Sequence, residues 1–187
     1  VIKPTNRLIT GASVKEGDVI YGLPAYAPDI SEFVTVREAA NMLGQKYLSK
    51  LPNGKTLAES MLTPTPVNTM LIIDEFRHTK PHCIVPITGG WKDILSIRAE
   101  DSQKPGHPLN LRYVINNPPE LPETFRFLID QGRTKFPEDL FFSYQENYGR
   151  CNMGTSIVLI GSSSMEKSKL TALAKTYKTE LQVLGYV

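Results

Sequence analysis

Apolar positions along this chain follow two rhythms. Short unbroken apolar runs bounded by glycine or proline predict buried strands, and stretches with an apolar residue every three or four positions predict helices packed by one face. Val19-Ile20-Tyr21-Gly22-Leu23, opened by Gly17-Asp18 and ended by Pro24, predicts the first strand. Asp29 and Glu32 have the spacing of a capping box, and Phe33, Val36, Ala40, Leu43 and Tyr47 follow at helical spacing. They predict a helix to about Lys50, with Gly44 inside it. Pro52-Asn53-Gly54 reads as a turn, and Thr56 with Glu59 as a second capping box before a short helix over 57–62. Thr63-Pro64-Thr65-Pro66 stops that helix, and Val67, Met70, Leu71 and Asp74 predict another starting at Pro66.

The central stretch is His82-Cys83-Ile84-Val85-Pro86-Ile87, an apolar run bounded by Pro81 that predicts an interior strand. It breaks into Thr88-Gly89-Gly90, beyond which Trp91, Ile94, Leu95 and Arg98 stand at helical spacing. A strand that turns through glycines into a helix presents backbone N–H groups at the helix start, where the dipole also favours an anion such as phosphate. Glycine allows close approach and positive φ there. The competing reading is a tight strand-to-helix turn without a ligand, since a lone Gly-Gly is a weak motif.

Ala99 to Leu109 reads as a mobile loop around Pro105-Gly106, and Leu111 to Ile115 as a strand. Pro122 opens a helix carrying Phe125, Leu128 and Ile129, with Gly132 as its stop. Pro137 begins a short helix with Leu140, Phe141 and Tyr144 on its apolar side. A loop over 147–154 holds Arg150, Asn152 and Gly154, and Ile157 to Ile160 is a buried strand. Met165, Leu170, Leu173 and Tyr177 mark the last helix, and Leu181 to Val187 a closing strand. The whole predicts an α/β-type (α+β) domain, a mixed sheet with helices packed on it, over 18–187, preceded by a lead-in over 1–17.

Composition narrows the partners. With 41% hydrophobic and 21% charged residues in 187, the chain has the make-up of an ordinary globular domain. A net charge of +2 points neither to nucleic acid nor to an acidic membrane surface. No apolar run approaches the ~20 residues that span a bilayer, and no signal-peptide pattern stands at the start. Cys83 and Cys151 are isolated, which argues against a zinc site or a disulfide framework and suits the cytoplasm. Both read as small buried hydrophobes. His78 and His82 would suit a metal only on one helix, which Pro81 argues against, so they read as surface or loop histidines and no metal is expected. The sequence opens on Val1 rather than Met, which suggests a processed chain or a piece of a longer one.

Taken together, Gly17-Asp18-Val19-Ile20-Tyr21-Gly22-Leu23-Pro24, Thr56-Leu57 through Leu62-Thr63-Pro64-Thr65, Ile87-Thr88-Gly89-Gly90, Pro122 to Gly132, Asn152-Met153-Gly154 and the ending Gly185 to Val187 resemble the C-terminal domain of phosphoribosylformylglycinamidine cyclo-ligase, the aminoimidazole ribonucleotide synthetase of purine synthesis. The order and spacing agree across nearly the whole chain. That family joins this domain to an N-terminal domain that binds ATP and forms a dimer, and it closes an imidazole ring on formylglycinamidine ribonucleotide with ATP and magnesium. The resemblance implies the substrate-side domain of such an enzyme, inactive alone, whose ATP and magnesium are held mainly by a domain absent from this sequence. It implies a phosphorylated small-molecule substrate and a homodimer at full length.

Carried onto this chain, the resemblance implies that Thr88, Gly89 and Gly90 cradle a substrate phosphate, that Asn152 and Gly154 form the opposite wall, and that Arg150 screens anionic charge. No catalytic residue is assigned. The family's His-Ser-Asn-Gly segment is replaced by the loop 25–31, its His before Ile-Thr-Gly-Gly by Pro86, its third glycine by Trp91 and its Glu-Asn pair by Ile94-Leu95. These departures point to a divergent relative with a changed substrate. The alternative function is a non-catalytic nucleotide-binding or dimerisation module of the same fold.

Overall fold

The computed structural model describes residue 9 and residues 11–78, 80–94, 111–163 and 167–187, with backbone alone at 75–78 and 167–169. Among the described residues five strands form one sheet: β1 Val19–Pro24, β2 Cys83–Pro86, β3 Val114–Ile115, β4 Thr155–Gly161 and β5 Gln182–Tyr186, in the order β2-β4-β1-β5-β3. The expected sheet with helices packed on it is present, and within it all four ladders are antiparallel. Ile20 of the central strand stands opposite Ile160 on one side and Gly185 on the other.

The apolar runs are unbroken because both faces of the sheet are covered. Side chains alternate across a strand. Ile20, Cys83, Val85, Val158, Ile160 and Leu184 therefore share one face, where Val14, Ile87, Ile94 and Val187 join them. Tyr21, Leu23 and Leu159 point the other way. There they meet Leu71 of helix α3 (Thr69–His78) and Leu170 and Ala174 of a later helix, Lys167–Thr176. Each large aliphatic side chain removed from water in this way stabilises the fold by about 1.5–3 kcal/mol.

A second core is helical. It joins α1 (Phe33–Leu43), α2 (Leu57–Met61), α4 (Glu123–Lys135), a 3-10 turn (Leu140–Phe142) and α5 (Tyr144–Tyr148) around Val36, Leu57, Phe125, Leu128 and Phe142. The helix Lys167–Thr176 is then α6.

Two glycines behave differently from expectation. Gly44 does not sit inside a helix reaching Lys50. It ends α1 in the left-handed conformation, φ 71°, its N–H turned back to the α1 carbonyls. Gly132 does not stop α4, which continues to Lys135. A Cβ there would lie 1.9 Å from the Phe142 ring, so the glycine is a slot for an aromatic side chain. Both capping boxes form as their spacing predicts, at Asp29–Glu32 and Thr56–Glu59. Of the helix expected from Trp91, residues 93–94 are helical, and 95–98 lie outside the described residues, as does the loop expected over 99–109. Among the described residues no helix is long and apolar enough to cross a membrane.

Candidate functional site

The sheet topology brings three loops to one edge. Pro24 at the end of β1 stands opposite Thr155 at the start of β4, and Pro86 at the end of β2 stands opposite Ile157. Antiparallel pairing therefore delivers the loop after β1 (25–32), the loop after β2 (87–94) and the loop before β4 (149–154) to the same end of the sheet.

The loops interlock through backbone. Gly90, at φ 98°, lies so close to the third loop that a Cβ would stand 2.4 Å from the Gly149 carbonyl carbon and 2.6 Å from the Arg150 nitrogen. The next residue donates its backbone N–H to the Tyr148 carbonyl at 2.8 Å, and its indole N–H to the Asn152 carbonyl at 3.1 Å. The Trp91 ring meets Tyr148 edge-on, with centroids 5.6 Å apart. From the first loop, the Ser31 hydroxyl donates to the Thr88 carbonyl at 2.5 Å. The third glycine of the family pattern has thus become a tryptophan that clamps two loops together.

At the centre lies Glu32, 1% exposed. One carboxylate oxygen accepts the Asn152 backbone N–H at 2.5 Å. The other accepts the Asn152 side-chain amide and the Asp29 N–H, both at 2.8 Å. Burial pushes its pKa up to about 7; the Asp29 and Asn152 N–H bonds pull it down, and the Asp29 and Asp93 charges push it further up. The Cys151 thiol beside it is pushed up to about 12, mainly by burial and then by the Glu32 charge. It stays protonated and acts as a small buried hydrophobe; Cys83 is buried too.

The six expected binding residues part company in this setting. Thr88 and Gly89 do present convergent N–H groups, but both donate to Oδ2 of Asp93, at 3.0 and 2.8 Å. Gly90 is packed against backbone, as described. Asn152 points inward and is fully used: its amide nitrogen donates to Glu32 and to the Ala27 carbonyl, and its oxygen accepts the Gly154 N–H. The Arg150 guanidinium turns to Glu146 at 3.3 Å and lies over the Phe141 ring. Gly154, at φ 97°, lines a separate open cleft of about 430 Å³ with Tyr26, Lys55, Thr63, Glu123 and Gln182. None of the other five lines that cleft.

Two residues of the junction escape a reading along the chain. Glu32 already had a local task in its capping box, which concealed the long-range one. Asp93 follows the glycines too closely to show, without the fold, that it would turn back onto them. His82 is also more than a loop histidine: its Nδ1 lies 2.7 Å from the buried carboxylate of Asp18.

Among the described residues no three histidine, cysteine or carboxylate side chains gather closely enough to hold a metal ion.

No family model matches the chain. It is 28% identical to a phosphoribosylformylglycinamidine cyclo-ligase of Thermoplasma volcanium over 184 residues, which are 97% of this chain and 48% of that protein. A cyclo-ligase of Methanococcus vannielii is 26% identical over the same share of the chain and 47% of its own length, and one of Thermoplasma acidophilum is 28% identical over 97% and 48%. The chain spans about half the length of these relatives. Over nearly its whole length, then, it is similar to the C-terminal part of the phosphoribosylformylglycinamidine cyclo-ligases.

Proposed function

We infer that this chain is the substrate-side half of a ring-closing ligase of purine biosynthesis, working in the cytoplasm and inactive by itself. The observation that carries the reading is the likeness to cyclo-ligases along 97% of the chain, set against a coverage of only half of each. In this reading ATP and magnesium belong mainly to another domain, which also forms the homodimer, and this half binds a phosphorylated substrate. Its contribution is positioning: fixed loops that hold a flexible substrate against the other half lower the entropic cost of ring closure.

The phosphate would meet the Thr88 and Gly89 N–H groups, with Gly90 holding the turn; Asn152, Gly154 and Arg150, engaged elsewhere, take no part in this seat. Asp93 is the occupant such a phosphate has to displace. The test is calorimetric titration of the chain with formylglycinamidine ribonucleotide. Asp93→Ala, which frees the two N–H groups, is expected to tighten binding, and Gly89→Asp to weaken it at least tenfold. Affinity unchanged by both substitutions would remove the turn from the site.

One observation favours a second reading, a non-catalytic nucleotide-binding or dimerisation module of the same fold. The nest is filled by the chain's own carboxylate and the Asn152 side chain is fully engaged. Failure of a chain joined to a cyclo-ligase N-terminal half to turn over formylglycinamidine ribonucleotide, with binding intact, would favour the module.

A further inference from the structure

Glu32 ties the loop after β1 to the loop before β4 by two hydrogen bonds from Asn152 and closes its own turn with a third from Asp29, and all three are donated to it. A carboxylate is acceptor-only and fits this setting; a carboxylic acid is not, because its hydroxyl is itself a donor. Protonation places an O–H among three N–H groups and takes a lone pair from the oxygen that carries it, so the bonds accepted there weaken. Two of the three belong to Asn152, the residue whose carbonyl holds the Trp91 indole and whose side chain fixes Ala27 and Gly154. The state of one buried carboxyl is thus felt by all three loops of the junction.

We propose that Glu32 is a positioning residue whose carboxylate, by losing or gaining one proton, tightens or loosens the Asn152 loop against the loop after β1. The proposal concerns the junction itself and holds whether or not the ligase reading does. The groups around Glu32 make the switch operate in the physiological range. Asp29 on its own turn and Asp93 from the loop after β2 are both negative and both disfavour its charge. Cys151 from the third loop stays neutral, and Arg150 spends its charge on Glu146. Burial, the largest influence, brings the carboxyl to about 7, where small changes in pH shift its population.

The test is NMR of the 187-residue chain between pH 5 and 9. The Glu32 side-chain carboxyl carbon is expected to titrate with a midpoint near neutrality. The Asn152 backbone and side-chain amide signals are expected to follow the same midpoint, with at least a tenfold loss of exchange protection at the acid end. In Glu32→Gln the Asn152 signals are expected to stay flat, whereas Asp93→Asn keeps the titration and moves its midpoint down. Asn152 signals that do not move in the unsubstituted chain, or that move equally in Glu32→Gln, would overturn the proposal. Should Glu32→Gln fail to fold, the unsubstituted chain decides alone: a Glu32 midpoint in the ordinary carboxylate range with Asn152 still would also overturn it.

Discussion

The sheet and the loop junction at its end are both buried, yet they are held by opposite means. In the sheet, Ile20, Leu23, Leu159 and Leu184 are wholly out of water and pack with apolar neighbours across faces set by strand alternation. In the junction, Glu32 and Asn152 are equally buried but polar, and they are kept by hydrogen bonds between residues some 120 positions apart. Apolar burial is non-directional and indifferent to pH. A buried carboxylate is neither, since it needs donors in place and carries a charge that solvent no longer stabilises. The sheet is thus a scaffold that conditions barely touch, and the junction is a part that conditions can adjust.

The sharpest way to break this contrast is to cut the sheet. Leu159→Ala is expected to destabilise the chain by about 2–5 kcal/mol, the loss of a fully buried leucine plus its cavity. Urea unfolding at pH 5.5 and pH 8 checks it: the loss is expected to be equal at both. A strongly pH-dependent loss would show that the two regions are not separate.

Next in size is the pH response of the junction. Glu32 binds its proton more tightly in the folded chain, near 7, than at its ordinary value of 4.5. The folded state therefore holds the extra proton, and this group's contribution falls as pH rises from about 4.5 to about 7, staying level above that. At ~1.4 kcal/mol per pH unit the span is about 3 kcal/mol. Unfolding free energies measured from pH 4.5 to 8 are expected to show this decline and Glu32→Gln to lack it. The acid form thus gains global stability while its grip on Asn152 loosens, because relief of a buried charge outweighs the weakened hydrogen bonds. A stability that rose over this window would contradict the account.

The smallest expected effect belongs to Gly90→Ala. The new Cβ meets the backbone of Gly149 and Arg150 rather than a movable side chain, and φ is 98°. A cost of about 1–3 kcal/mol follows from overpacking. Because the clash parts the 87–94 and 149–154 loops, Trp91 fluorescence is expected to change before the far-ultraviolet circular dichroism does. Coincident transitions would place Gly90 within the sheet's cooperative unit.

What could be read from the residues is mostly what is local. The unbroken run Val19 to Leu23, closed by Pro24, announced a strand. Asp29 with Glu32 and Thr56 with Glu59 announced helix starts, because a cap is made by residues three apart. Gly44 was misplaced because a glycine in a periodic stretch looks alike whether it weakens a helix or ends it in the left-handed conformation. Gly132 was taken for a stop because the ring that fills its missing Cβ comes from Phe142, on another element.

The candidate site divides in the same way. That Thr88-Gly89-Gly90 turns and offers N–H groups to an anionic oxygen is a property of strand, glycine and helix order, and it was legible. That the oxygen is Asp93's, that Trp91 clamps onto Asn152, and that Glu32 sits among donors from two loops depended on antiparallel pairing bringing β1, β2 and β4 to a common end. The sequence by itself determined the strands, the caps and the apolar faces, since these follow from neighbours along the chain. Only the tertiary structure decided which polar groups satisfy one another, because a hydrogen bond depends on distance and direction in space.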